Sequence, residues 1–118
     1  MTESNIAIFK GKNIRKIIYQ NVWWFSVVDV IEALTDSERP SVYWTAMKAR
    51  VKIEGDFQLS TICRQLKLPA PDEKMRETDC ADTEGIFRII QSIPSPKAEP
   101  FKLWLAKVGY ELVKEIDD

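Results

Sequence analysis

The 118-residue chain contains no histidine, and this absence removes several familiar kinds of catalytic site. It excludes Ser-His-Asp and Cys-His catalysis as well as every zinc site that needs a histidine ligand. The two cysteines, Cys63 and Cys80, lie seventeen positions apart, which is not the spacing of a paired metal or redox motif. We therefore expect two reduced thiols, with carboxylate, lysine, tyrosine or cysteine chemistry as the only catalytic options.

Long hydrophobic runs are also missing. No stretch approaches the roughly 20 apolar residues of a membrane-spanning helix, and the N-terminus lacks the basic-then-apolar layout of a signal peptide. The length suits one domain, and 45% hydrophobic residues can supply a real core. We expect a single cytoplasmic domain over residues 1–118, forming the N-terminal part of a longer protein.

Excess charge of one sign is absent too, since the formal net charge is −1. Residues 1–67 hold ten Lys or Arg against seven Asp or Glu, whereas residues 68–118 hold seven against eleven. The two halves are therefore about +3 and −4. This asymmetry is compatible with one face that meets phosphate, and also with charge segregation that serves no partner.

The first part of the chain predicts an antiparallel meander. Apolar runs over residues 6–9, 13–19 and 22–25 read as strands, because they are rich in Ile, Val and aromatic residues. Lys10-Gly11-Lys12 and Gln20-Asn21 separate these runs, and Gly and Asn favour tight hairpin turns. Alternation along the third strand puts Trp23 and Phe25 on one face and Trp24 on the other.

The helices are predicted from capping residues and apolar spacing. Ser26 is an N-cap for a helix ending near Leu34, and Pro40 starts a second helix ended by Gly55. A third helix follows Asp82 or Thr83, and a final helix starts at Ser95-Pro96 or two residues later. The expected buried stripes are Val42, Ala46, Ala49 and Ile53 on the second helix, Ile86, Phe87, Ile89 and Ile90 on the third, and Phe101, Trp104, Leu105, Val108, Leu112 and Val113 on the last.

The fold class is therefore α+β. We expect a small, mostly antiparallel sheet, made of the three-stranded meander and a possible second hairpin over residues 67–70 and 74–78, packed with three main helices. Between Phe57 and Leu66 the pattern allows either a short helix or a turn.

Two groups of carboxylates allow a catalytic or metal-binding reading. Asp29 and Glu32 lie one helical turn apart, but Asp29 more simply stabilises the helix N-terminus. Asp72, Glu73 and Lys74 resemble part of a metal-dependent nuclease site, yet such sites need the first acid on a separate strand. We expect no catalysis, no metal and no cofactor.

The second helix carries the best candidate surface for a partner. Ser41, Thr45, Lys48 and Lys52 share one helical face, with Arg50 and Trp44 at its edges, and this face could contact phosphates or enter a groove. It could equally be a solvated helix surface. A second cationic group surrounds the first turn and could hold phosphates or keep an edge strand from aggregating; it comprises Lys10, Lys12, Arg15 and Lys16. Arg39 and Arg64 are secondary candidates.

Two segments resemble a known family. The segment WFSVVDV over residues 24–30 matches the aromatic-Phe-x-x-x-Asp-Val pattern of the Bro-N domain, the N-terminal module of baculovirus Bro proteins and many prophage antirepressors. PKAEPFKLWL over residues 96–105 matches that family's Pro-x-Ala-x-x-Phe-x-x-Trp-Leu pattern. Residues 59–85 look closest to the DNA-damage-inducible protein D branch of the family.

The resemblance implies a regulatory role in transcription or the DNA damage response, with double-stranded DNA as the partner. A repressor or repair protein is a further possible partner, and a homodimer a possible assembly. The alternative is a protein-interaction module that antagonises a repressor or a DNA-repair protein without contacting DNA.

Overall fold

Two tight turns build the N-terminal half of the sheet. In a computed structural model, which describes the backbone of residues 4–54 and 59–117 and the side chains of residues 5–50 and 61–108, strands β1 (Ser4–Phe9), β2 (Lys12–Tyr19) and β3 (Val22–Ser26) form the meander. Lys10 and Gly11 have φ of 46° and 82°, and Gln20 and Asn21 have φ of 53° and 63°. Two successive residues with positive φ make the hairpin turn whose twist suits antiparallel strands. The predicted meander is confirmed.

The second hairpin is also confirmed, and it is longer than predicted. A 3₁₀ turn (Leu59–Ile62) leads into β4 (Arg64–Pro69), and β5 (Met75–Asp82) follows a turn. β5 pairs with β3 through Phe25 opposite Ala81, so all five strands form one open antiparallel sheet in the order β1-β2-β3-β5-β4. The fold is α+β as expected.

Four helices pack on this sheet, at the four places where capping residues and apolar spacing predicted them, although the expected architecture counted only three main helices. They are α1 (Val27–Thr35), α2 (Pro40–Glu54), α3 (Thr83–Gln91) and α4 (Ala98–Asp117). The Ser26 hydroxyl accepts the Asp29 amide at 3.4 Å, and Asp82 accepts the Gly85 amide at 2.8 Å, so both predicted N-caps are confirmed. In the described part of the chain, no helix combines the length and apolarity needed to cross a bilayer.

The two faces of the sheet bury different side chains. Trp23 and Phe25 lie in the main core between the sheet and the helices, whereas Trp24 packs on the opposite face, as the alternation predicts. That outer face has a small cluster of its own around Ile17 and Leu68. The main core is completed by helical side chains that include Val27, Val30, Ile31, Leu34, Ile86, Ile89, Ile90, Phe101 and Leu105.

The predicted buried stripe of α2 is wrong. Val42 is 60% exposed, and Ala46 and Ala49 face solvent, while Trp44 and Met47 are buried. The reason is the apolar surface that each set of side chains can bury. Trp and Met bury far more than Val and Ala, so they determine which side of the helix packs against the core. Ile53, the last residue of the predicted stripe, lies outside the described side chains, and Gly55 outside the described residues.

Candidate nucleic-acid interface

Because Trp44 and Met47 turn towards the core, the opposite side of α2 is exposed to solvent. Small or hydroxyl-bearing side chains occupy the middle of the exposed surface, and Lys48 and Arg50 lie at its two opposite edges on a helical projection. We name this surface the α2 face and define it by Ser41, Val42, Thr45, Ala46, Lys48, Ala49 and Arg50. Sequence reasoning placed Ser41, Thr45, Lys48 and Arg50 on it, and the structure adds the three small apolar residues.

Trp44 has a different place from the predicted one. Its ring is only 3% exposed and belongs to the main core, so it cannot flank the exposed surface as expected. The indole Nε1 donates to the Asp79 carboxylate on β5 at 2.7 Å. Trp44 therefore anchors α2 to the sheet instead of facing a partner.

Asp79 ties three elements together. Besides the Trp44 indole, its carboxylate accepts the Lys48 ammonium at 3.2 Å and the Gln65 amide at 3.4 Å. Burial alone raises the pKa of Asp79, but the hydrogen bonds from Trp44 and Lys48 outweigh it and lower the pKa below its ordinary value. The carboxylate is thus ionised near neutral pH, and it balances the charge of Lys48.

A cleft of about 390 Å³ separates the first half of α2 from the β4–β5 hairpin. Ser41, Thr45 and Lys48 line its helical side. Arg76, Thr78 and Asp79 line its strand side. The Thr45 hydroxyl donates to the Ser41 carbonyl at 3.0 Å, which leaves its oxygen free to accept from a partner. The hairpin therefore borders the α2 face, with the exposed Arg76 beside it.

The first hairpin turn brings a second basic group to the surface. Lys10 is exposed, with its ammonium 5.7 Å from the centroid of the Phe9 ring. Lys12 lies 3.7 Å from the Asp36 carboxylate, which also accepts the Lys97 ammonium at 2.7 Å. The hydrogen bond from Lys97 and its charge lower the pKa of Asp36. Two cations from distant segments, Lys12 and Lys97, thus meet at one acid, and the exposed Lys10 lies in the turn just before Lys12.

Arg15 and Lys16 do not extend this basic surface. The Arg15 guanidinium donates twice to Asp29, at 2.8 and 3.0 Å, and once to the Pro69 carbonyl at 3.1 Å. Lys16 is 3% exposed, and its ammonium lies 3.5 Å from the centroid of the Trp23 ring. Both side chains are engaged inside the domain, which corrects their predicted place among the surface cations.

The remaining predicted cations are dispersed. Arg39 is exposed just before α2, and Arg64 lies on the outer sheet face, with its guanidinium 4.8 Å from the Tyr19 ring centroid and 5.8 Å from that of Trp24. Lys52 is on the backbone of α2, but its side chain lies outside those described. Arg39 adjoins the α2 face, whereas Arg64 faces another direction.

The acidic and thiol groups considered from the sequence take up structural roles. Asp29 binds the Arg15 side chain and backbone, and Asp72 bonds the Lys74 amide and Arg76 within a turn. Burial raises the pKa of Cys63 and of Cys80 to about 12, so both thiols stay protonated at neutral pH. Within the described residues, no group of three Cys, Asp or Glu side chains is arranged to hold a metal ion.

Sequence reasoning missed Asp79, Lys97 and Arg76 near the candidate surface. Asp79 lies 35 positions from Trp44, and Lys97 lies 61 positions from Asp36, so no local spacing reports either contact. For Trp44, the sequence alone could have indicated burial. A tryptophan on an otherwise small and polar helix is the residue most expected to be buried.

The described part of the chain is thus a small α+β domain in which helix α2 lies exposed beside the β4–β5 hairpin. The family model for the BRO family, N-terminal domain (Bro-N) matches residues 13–112, and the chain belongs to that family. Bro-N domains are regulatory DNA-binding domains associated with phage antirepressors. Comparison with curated proteins and with solved structures gives no significant match.

Proposed function

We propose that this domain binds double-stranded DNA through the α2 face and acts as the DNA-contacting module of an antirepressor-like regulator. One observation carries the proposal: the exposed side of α2 has small side chains in the middle and a cation at each edge. A helix of this kind can enter the major groove, which is about 12 Å wide, while its flanking cations reach phosphates on either side.

The middle of the face can read base edges. The Ser41 hydroxyl can donate to or accept from bases, and the Thr45 hydroxyl, which donates to the Ser41 carbonyl, can accept from them. The Val42 and Ala46 side chains can contact thymine methyl groups. Arg50 and Arg39 are exposed cations that can approach phosphates from the helix. Lys48 contributes less net charge than the sequence suggests, because Asp79 neutralises it.

The basic group at the first turn provides a second phosphate contact. Lys12 and Lys97 both contact Asp36, which follows α1 and is separated from α2 by three residues, and Lys10 is exposed in the turn just before Lys12. A DNA backbone passing the start of α2 would meet these ammonium groups.

The likeness of residues 59–85 to the DNA-damage-inducible protein D branch supports a role in the response to damaged DNA.

The test is a salt titration of binding to a labelled 20-base-pair duplex, followed by fluorescence anisotropy. We expect the logarithm of the affinity to fall linearly with the logarithm of salt concentration, and Arg50→Ala to reduce the slope by roughly 0.9. Lys107→Ala, which removes an exposed cation from α4, is the matched control and should leave the slope unchanged.

A second variant examines the middle of the face. Ala49→Glu places a carboxylate where the groove floor would lie, so binding should be lost, whereas Leu103→Glu on α4 should have no effect. Absence of binding by the parent chain to any duplex at low salt would reject the proposal and leave the protein-interaction alternative. Equal weakening by Arg50→Ala and Lys107→Ala would reject the α2 face as the site.

A further inference from the structure

The outer edge of the sheet, strand β1, has an unusual composition for an exposed edge. Its six residues read SNIAIF, with no charge and no proline, although natural edge strands are commonly protected by both. Ile6 is 54% exposed and Ile8 is 62% exposed, and both point to the outer face of the sheet. β1 pairs with β2 on one side, and its other side is open in the described part of the chain.

The hairpin register determines which backbone groups face that open side. Phe9 and Lys12 flank a two-residue turn, so they form a hydrogen-bonded pair, and every second residue of β1 then bonds to β2. The amides and carbonyls of Ile6 and Ile8 therefore point outward. The contact of the Ile6 amide agrees with this, because it donates to the Asn5 side chain at 2.8 Å and not to β2.

We propose that β1 pairs with β1 of a second copy of this chain, antiparallel and with the two-fold axis at Ala7. In this register Ile6 of each copy lies opposite Ile8 of the other, and both residues are those with outward amides and carbonyls. The arrangement forms four backbone hydrogen bonds and gathers four isoleucines on one face. The inference does not depend on DNA binding.

The sequence of β1 favours a second copy over another occupant. The Ile-Ala-Ile repeat is symmetric about Ala7, so an antiparallel partner with the same sequence matches every exposed isoleucine with another. The strand carries no charge, so self-pairing brings no like charges together. Because only five residues of each strand pair, and because Asn5 must release the Ile6 amide, we expect a concentration-dependent dimer.

The geometry of the proposed pair has a specific covalent test. Two alanines at the axis form a non-hydrogen-bonded pair, in which the Cα atoms are about 4.5 Å apart, a distance that a disulfide can span. Ala7→Cys should therefore cross-link rapidly to a dimer under mild oxidation. Leu103→Cys, at an exposed site on α4, gives the rate of random collision, and the parent chain gives the background from Cys63 and Cys80.

The complementary measurement is sedimentation of the full chain over a wide concentration range. Replacing both isoleucines, Ile6→Lys with Ile8→Lys, places like charges opposite each other and should weaken the dimer at least about tenfold. Leu103→Lys is the matched control and should leave the dimer unchanged. Circular dichroism of the double variant should match the parent, because both side chains are exposed in the monomer.

Three outcomes would overturn the proposal. The first is a chain that stays monomeric at every concentration. The second is an Ala7→Cys cross-linking rate no faster than that of Leu103→Cys. The third is a dimer that persists unchanged with both lysines in place.

Discussion

At the scale of single residues, Asp79 shows how one carboxylate can decide the position of a helix. Its partners Trp44 and Lys48 belong to α2, and its own strand belongs to the sheet. Without this acceptor the buried indole would lack a hydrogen bond, and the Lys48 ammonium would lose its ion pair. The residue is therefore structural, although it lies directly beside the proposed DNA-binding surface.

We predict that Asp79→Ala lowers the free energy of unfolding by about 2 kcal/mol at neutral pH, since it removes hydrogen bonds to a charged group. The folded pKa of Asp79 is lowered, so its contribution is present above the ordinary carboxyl pKa of about 4 and disappears as the pH falls through the folded pKa. Urea unfolding at pH 7 and pH 3 should show a large difference between parent and variant at pH 7 and a smaller one at pH 3.

The control is Asp72→Ala, because Asp72 is an exposed carboxylate whose pKa is also lowered, mainly by a hydrogen bond from Arg76. Solvent screens that interaction, so the variant should unfold almost like the parent. Equal effects of the two substitutions would contradict the anchoring role of Asp79.

At the scale of elements, α2 shows how side-chain size overrides a simple apolar pattern. The helix has two apolar stripes at helical spacing. One consists of Val42, Ala46 and Ala49, and the other of Pro40, Tyr43, Trp44 and Met47. Only one of these stripes can face the core, and the stripe with the larger apolar surface is the one that is buried. The exposed stripe is then available for a partner.

We predict that Met47→Ala lowers the free energy of unfolding by about 2–4 kcal/mol, because Met47 is fully buried and its removal leaves a cavity. Val42→Ala should change it by less than about 0.5 kcal/mol, because the Val42 side chain is mostly exposed. Thermal unfolding of both variants checks the orientation of α2. The reverse order would mean that the helix buries the other stripe.

The same contrast separates what the sequence can predict from what it cannot. Local signals located both turns of the meander, the caps Ser26 and Asp82, and the second hairpin, since each depends on residues close together in the chain. The engagement of Trp44 by Asp79 depends on a contact between residues 35 positions apart, on a helix and a strand. No local pattern contains that information, so the candidate site was only partly predicted.

At the scale of the whole molecule, the main core and the outer cluster share the same strands. β2 contributes Ile14 to one and Ile17 to the other, and β5 contributes Ala81 and Cys80 in the same way. Arg15 adds a link, since its guanidinium joins β2 to the start of α1 and to the end of β4. Neither cluster can be lost without disturbing the sheet that supports the other.

We therefore predict a single cooperative unfolding transition. Trp23 reports on the main core and Trp24 on the outer cluster, so tryptophan fluorescence and far-ultraviolet circular dichroism should give the same midpoint. The variant Trp24→Phe keeps most of the packing but removes the tryptophan of the outer cluster. Its fluorescence therefore no longer reports on that cluster. A fluorescence midpoint that differs from the dichroism midpoint would contradict this view.

The tether between Asp79 and α2 also bears on how the helix would meet a duplex. A helix held by a buried indole and an ion pair cannot easily tilt or slide to suit its target, so little conformational entropy would be lost on association. Any conformational change on binding would then occur in the nucleic acid, whose deformability depends on its base steps. Selectivity would arise partly from the stiffness of the target, at base pairs that the protein never touches.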